Sequence, residues 1–542
     1  MLKQLTKLPL NSRVGVVGAG MSGLMFTYTL GKLRPDVNIT LFERNKGKVG
    51  GWVNSWDTVD QNGDPIMFER GPRTLRGVSD GSVLMIDTLK ELGKTNKLKC
   101  IEKTADANKK FIADPNDNLV QAPNSFLSFL KFSASPLGKG LFSAILLEWA
   151  RKPCEDLFKD ESAESLVRRR YGNDFIGNNI LSAIFRGIYA DDLSTLSAKK
   201  VLSKLYNDER LYGSTCKALL VKWKNRRLSG SNYDCPVPRL TDTILKYKDA
   251  FRKDENELYL LSRHLKKYPM LCFDGGLSTF PNAVKDAVDK MKNVTVIRDN
   301  VSNAHYKDGK LSVEVEGHKP QELDHLRFSV APDSIEAVLG GSNKALSKKF
   351  KELEYLTIAL VNYYLPNKDI IEKKYHSFGY LIPKSNKNPG KVLGVIFDSI
   401  IEKNAKPLFE PSQGGQSGNL ARGKEYTKMT AMVGGYMFND PKTRKPVVPP
   451  ESATIANVRD AFKKHLHISE KDLDAGLWQY TLAENSLPRY SVGYCDWSAA
   501  AQSMVTKDYD GKVSLGGIGF AKSCGIPDVV TDGFIDALSL SQ

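Results

Sequence analysis

Residues 13–24 read RVGVVGAGMSGL, and the order of side chains in this stretch decides the fold. Val14, Val16 and Val17 are β-branched and suit a strand. Gly18, Gly20 and Gly23 then leave no side chain between the backbone and an approaching ligand. Beyond them, Leu24, Tyr28 and the Leu30/Leu33 pair recur at helical spacing, and Pro35 closes the run. The next segment, VNITLFER, alternates like a strand and ends in Glu43, 20 residues after Gly23. Strand, glycine turn, helix, strand and carboxylate in this order predict a dinucleotide-binding unit. The glycines admit a pyrophosphate to the helix N-terminus, and the acid meets the ribose hydroxyls. Ala19, Met21, Ser22 and Arg44 complete the expected contacts. A βαβ unit that binds nothing is the alternative reading of such a motif.

The rest of the chain bounds what that unit serves. With 542 residues there is more than one ordinary core, so roughly two to four domains are expected. Lys and Arg number 78 against 62 Asp and Glu, an excess of +16 that suits an anionic membrane, a nucleic acid or an anionic substrate. Nucleic acid is disfavoured because no recognition motif accompanies the charge. The seven cysteines contain no CxxC pair, which argues against zinc and a disulfide framework and for reduced thiols. No run reaches the roughly 20 apolar residues of a spanning helix. The richest patch, GLFSAILLEWA at 140–150, carries Glu148. The start, MLKQLTKLPLNSR, lacks a secretory core and is compatible with a short mitochondrial address.

Further segments carry a resemblance. Gly50–Gly51–Trp52, a few residues past Glu43, resembles the extension found in amine-oxidase-like flavoproteins, which favours FAD over NAD. FERGPRTLRG follows, similar to the segment passing under the flavin, with Gly71, Pro72, Arg73 and Thr74 beside the cofactor and Arg73 available to a phosphate or the flavin edge. KVSLGGIGFAKSCGIPDVV near the C-terminus gives a strand, a glycine turn and a helix start at Ile526, Pro527 and Asp528, whose amides suit the electron-rich flavin edge. GGLSTFPNAV and NVTVIRDNVSNAHY supply a third piece, in which Val301 holds the family's adenine-contacting position.

With these in place, the chain resembles the oxygen-dependent protoporphyrinogen oxidases of the mitochondrial type over nearly its whole length. The most specific carriers are FRGIYADDLSTLSAKK, FGYLIPKSNKNPGKVLGVIFDS, AMVGGYM and LPRYSVGY. The resemblance implies a Rossmann-like FAD-binding domain of the amine-oxidase/p-hydroxybenzoate-hydroxylase type, α/β in class and α+β overall. With it come a mixed-sheet substrate domain and an inserted helical membrane-binding lobe. The expected boundaries are 1–100, 265–305 and 495–542 for FAD binding, 101–121 and 306–494 for substrate, and 122–264 for the lobe. FAD binds non-covalently, its N5 is the hydride acceptor, and no catalytic acid or base is assigned. Phe378 and Leu381 would sandwich the macrocycle, Met432 would form a wall and Gly187 would face a pyrrole. Lys110 would take a propionate where the family often has arginine, and Asp191 departs from a common glycine. The implied partners are protoporphyrinogen IX, O2 and the inner mitochondrial membrane surface, met peripherally. Ferrochelatase as recipient of the product and a homodimer remain open. Apolar stretches with Lys131, Lys139, Arg151 and Lys152 would dock the lobe, and the basic run from Lys217 to Arg227 reads as an exposed, mobile insertion. Two rivals stay open: another flavin amine or polyene oxidase, and a non-enzymatic escort protein of the same fold.

Overall fold

A computed structural model describes residues 8–172, 174–232, 240–341, 343–410, 425–440 and 442–542, with side chains left undescribed from 226 to 232. The opening strand, Arg13–Val17, forms the centre of a five-stranded parallel sheet. In spatial order its strands are Val513–Leu515, His325–Phe328, Arg13–Val17, Asn38–Phe42 and Val294–Ile297. A parallel sheet is covered on both faces, and Val14 and Val16 are fully buried. One cover is the helix Met21–Leu33, beside Asp80–Glu91 and the C-terminal helix Ile526–Ser541. The other includes the antiparallel strands Val301–Lys307 and Lys310–Val315 and the helix Tyr494–Asp508.

This sheet moves two expected boundaries. His325–Phe328 pairs directly with Arg13–Val17, so part of the presumed substrate segment belongs to the nucleotide fold. The helices Asp242–Phe251 and Glu255–Leu265 bury Ile244, Tyr247, Leu258 and Leu261 in the core beneath Asp80–Glu91, so they are not part of the lobe. The basic run from Lys217 lies in a helix, Thr215–Asn232, rather than an irregular insertion. Residues 233–239 of that expected insertion, and the first seven of the chain, lie outside the described residues.

A second, mixed sheet of seven strands runs Leu477–Pro488, Tyr355–Pro366, Tyr426–Gly434, Val392–Ile396, Gly379–Leu381, Phe111–Ala113 and Leu119–Gln121. Every neighbouring pair is antiparallel except Gly379–Leu381 with Phe111–Ala113. The helix Glu451–Leu466 packs Val458 and Phe462 against this sheet.

Residues from Phe126 to Asn232 form a lobe of helices, most of them short. Buried Glu148 closes it. Its Oε1 accepts from Arg170 Nε at 2.9 Å and Thr215 N at 2.9 Å, and its Oε2 accepts from Ser214 Oγ at 2.6 Å and Cys216 N at 3.0 Å. Burial pushes this carboxyl upward, but the donors outweigh it and hold it at about 2. Several links tie the lobe to its surroundings, two of them through buried or half-buried charges. Asp191 pairs with Arg489 at 2.9 and 3.0 Å, and Lys200 Nζ donates to the Ala521 carbonyl at 2.9 Å. The carboxylate where relatives commonly show glycine is therefore a buried counter-charge, and the left-handed turn falls on Ala190 before it, φ 54°.

One buried cation fixes the C-terminal segment. Arg327 is fully buried, with Asp532 and Asp536 each 3.0 Å from its Nη2 and the Phe26 ring beneath it at 4.7 Å. Ser22 Oγ accepts from Arg327 at 2.9 Å and donates to Asp532 at 3.1 Å, and Gly517 N donates to the same carboxylate at 3.0 Å. Removing the guanidinium leaves two carboxylates facing each other in low dielectric. Arg327→Met is expected to lower stability by about 3–5 kcal/mol, read as a shift of the urea midpoint, with faster tryptic release of the C-terminal helix. A shift below about 1 kcal/mol would contradict the clamp.

Candidate dinucleotide and substrate site

The glycine turn is built by close contacts. Gly18 has φ +97° and donates its N–H to Phe42 O at 2.8 Å. A Cβ on Gly23 would overlap the Gly18 carbonyl, so this glycine seats the helix on the turn. Gly20 differs, because a Cβ there would find only Gly51 Cα, 4.0 Å away. The space over Gly20 is therefore open. It lies at the N-terminus of Met21–Leu33, which has no acidic residue in its first turn and no side-chain cap. Such an end attracts an anion.

Around the cradle, Glu43 stands at the end of the second strand, accepting from Ala19 N at 2.8 Å and Asn45 N at 2.9 Å. Arg44 beside it is exposed. Gly50 N donates to Ala19 O at 2.8 Å, which seats Gly51 (φ +62°) and the exposed Trp52 against the turn. Gly71 crosses that turn so closely that a Cβ would overlap Trp52 O, and Pro72 and half-buried Thr74 follow. Val301 is buried with Val17 and Phe42 near the same strand ends. At the opposite end of the chain, Gly516 N donates to Phe328 O at 2.8 Å. The helix beginning at Ile526–Pro527–Asp528 then presses on Asp80–Glu91, where a Cβ on Gly81 would overlap Pro527 O.

Two expected contacts are spent otherwise. The Ser22 hydroxyl is turned into the Arg327 clamp, leaving only its backbone toward the cradle. Arg73 is buried, its Nε 2.8 Å from Asp398 Oδ1, with a further hydrogen bond to Glu69 O at 3.4 Å. A buried guanidinium requires its counter-charge, so it is not held for a phosphate. Asp398, from the GVIFDS run, went unnoticed in the sequence although it is an acid at the end of an apolar strand. It also accepts from Thr430 Oγ1 at 2.6 Å.

The apolar groups are only partly brought together. Leu381 packs with Ile112 and Ala183, and a Cβ on Gly187 would come 2.7 Å from its Cδ2. Met432 packs both against Leu393 and Ala190 and against the cluster that holds Phe378, and Leu393 has no sequence signal beyond its place in a strand. Phe378 packs in the cluster of Tyr380 and Phe111 instead of the one holding Leu381. The two lie three residues apart, which in an extended strand puts them on opposite faces. Lys110, just ahead of Phe111–Ala113, is exposed to solvent yet walled by protein. Burial and then the charge of Arg76 hold its ammonium below the usual lysine range. Gly187 connects to the C-terminal cap through Tyr189, whose ring lies 5.8 Å from that of Tyr490. The Tyr490 hydroxyl donates to Ile518 O at 3.1 Å.

Comparison with known proteins agrees with this geometry. Residues 16–92 match the family of NAD(P)-binding Rossmann-like domains. Over its full length the chain is 48% identical to the protoporphyrinogen oxidase of Saccharomyces cerevisiae, covering 100% of both chains. It is 28% identical to the protoporphyrinogen oxidase of Schizosaccharomyces pombe, covering 98% of each. A crystal structure of a candidate protoporphyrinogen oxidase from Exiguobacterium sp. 255-15 superposes with a TM-score of 0.67 over 98% of this chain and 99% of that one. At 17% identity that likeness shows the fold alone. The full-length identity to the yeast enzyme, on a fold shared with flavin amine oxidases, means that this chain belongs to the protoporphyrinogen oxidase family of oxidoreductases.

Proposed function

We propose that the chain binds FAD non-covalently and oxidises protoporphyrinogen IX to protoporphyrin IX, passing electrons to O2. Six electrons and six protons leave the substrate, and three O2 become three H2O2. The observation that carries the reading is the open cradle over Gly20, beside Gly51, at the uncapped N-terminus of a buried helix. When bound, FAD supplies a two-electron acceptor that O2 restores, three times per substrate. The chain's own residues bind and orient. Gly20 and the first helical amides take the pyrophosphate, and Glu43 takes ribose hydroxyls. Residues 526–528 stand at the tricyclic end. Leu381, Gly187 and Met432 suit a flat apolar ring, and Lys110 supplies a cation for a propionate. A rival flavin oxidase of amines or polyenes would leave protoporphyrinogen unchanged, and an escort protein would purify without flavin colour.

The reading extends to the surface. Phe126, Leu127, Leu147, Trp149, Leu220 and Trp223 of the lobe are each more than half exposed, a concentration of apolar surface that marks an interaction face. Lys131, Lys139 and Lys217 stand among them. No helix among the described residues is long and apolar enough to cross a membrane. Peripheral attachment to an anionic bilayer, such as the inner mitochondrial membrane, fits apolar and basic groups side by side.

Two measurements test this. Gly20→Val should fold with the melting temperature of the flavin-stripped wild type, since the fold leaves room for the side chain and only the ligand's stabilisation is lost, and should purify without flavin absorbance. A fully flavinated variant would overturn the cradle. Lys131→Glu with Lys139→Glu should reduce co-sedimentation with cardiolipin-containing vesicles several-fold, since each cation near an anionic surface contributes about 1 kcal/mol. Equal sedimentation at moderate salt would remove those lysines from the docking face.

A further inference from the structure

Within seven residues the segment Arg70 to Arg76 carries three arginines, and the structure uses two of them. Arg70 stacks over the Trp56 ring at 3.7 Å, and Arg73 pairs with Asp398. Arg76 is exposed, and among the described residues its guanidinium meets no carboxylate, carbonyl or ring. Its backbone, by contrast, is pinned. Leu75 exchanges both ladder hydrogen bonds with Leu271 at 2.8 Å, and Ser82 Oγ donates to Arg76 O at 2.6 Å. A Cβ on Gly77 would overlap the carbonyls of Leu265 and Tyr268. A long cation is thus held by a rigid base with its charged end unpartnered.

Its position is set by what surrounds it. Helix Asp80–Glu91, which starts four residues later, touches Pro527 at the C-terminal cap through Gly81. The Arg76 charge reaches Lys110 on the second sheet, Tyr189 on the helix that carries Gly187, and Cys524 in the cap. Lys110 precedes Ile112 by two residues, and Tyr189 shares its helix with Ala183 and Gly187; Ile112, Ala183 and Gly187 line the recess at Leu381. Lys110 has no ion pair among the described residues either. Arg76 and Lys110 are thus like charges that oppose each other, while Asp528 acts on Tyr189 and Cys524 from the cap side, and a dianionic ligand relieves the opposition between the two cations.

We propose that Arg76 is a second carboxylate-binding cation of this recess, acting with Lys110 to hold the two propionates of the porphyrinogen. The proposal rests on the function proposed above. Protoporphyrinogen IX carries its propionates on neighbouring pyrroles along one edge, so two cations on one side of the recess fix that edge and leave the apolar remainder against Leu381 and Met432. Arginine supplies the planar fork that matches a carboxylate, and Lys110 supplies a point charge.

The experiment uses the flavinated enzyme with protoporphyrinogen IX and with its dimethyl ester, which keeps the ring and removes both charges. The wild type is expected to show a KM for the diester at least about tenfold above that for the diacid, since a charged hydrogen bond contributes roughly 1.5–3 kcal/mol. Arg76→Met should raise the diacid KM about tenfold and leave the diester KM in place, with the loss falling on KM more than on kcat. Arg76→Lys should recover part of the preference, and Arg76→Met with Lys110→Met should abolish it. An Arg76→Met enzyme with normal flavin content and the wild-type ratio of the two KM values overturns the proposal, as does the same result with Arg76→Gln. If flavinated wild type fails to oxidise the porphyrinogen, the functional reading falls instead. Arg76 is then read by tryptophan quenching with protoporphyrin IX and its dimethyl ester, where equal binding by Arg76→Met and wild type overturns it.

Discussion

The dinucleotide site depends on a charge buried where no water reaches it. Arg327 draws Asp532, Asp536 and Ser22 onto one guanidinium, and Ser22 and Asp532 are separated by 510 positions in the chain. The phosphate turn comes from the first two dozen residues and the opposite cap from the last thirty. Neither alone encloses a ligand. Desolvating an arginine is unfavourable unless its acids arrive together, so the clamp forms completely or not at all. Closure of the C-terminal helix and completion of the cradle are then one event.

Around that clamp, the site is shaped by backbone proximity more than by polar side chains. Gly23 against Gly18, Gly71 against Trp52, and Gly81 against Pro527 bring main chains into near contact. These contacts set the width of the groove and leave Gly20 as the place where room remains. The second sheet works in the same way: Gly187 and Gly394 both admit the Leu381 side chain, since a Cβ on either would come within 2.7 Å of its Cδ2.

Local features were the legible ones. The strand at Arg13–Val17, the helix to Leu33, Glu43 and the strand Val513–Leu515 all follow from alternation, periodicity and glycine placement over a few residues. What escaped depends on pairing across long separations. His325–Phe328 reads as an ordinary short strand, and nothing in HLRF reveals that it sits beside residue 13 or that its arginine faces two acids inside the protein. Arg73 looked free because its counter-charge, Asp398, lies more than three hundred residues on. Phe378 parted from Leu381 because an odd separation of three residues puts the two on opposite faces of an extended strand. The rigid base beneath Arg76 is likewise invisible in GPRTLRG, since its hydrogen bonds come from Leu271 and Ser82.

Lys200 and Asp191 bear on how motion of the helical lobe is transmitted. Both stand on the helical lobe, one gripping the Ala521 carbonyl of the cap and the other gripping Arg489 at the end of the second sheet. The lobe thus has no independent hinge. Any force that tilts the lobe therefore pulls at once on the C-terminal cap and on the end of the second sheet, and the three move as one body.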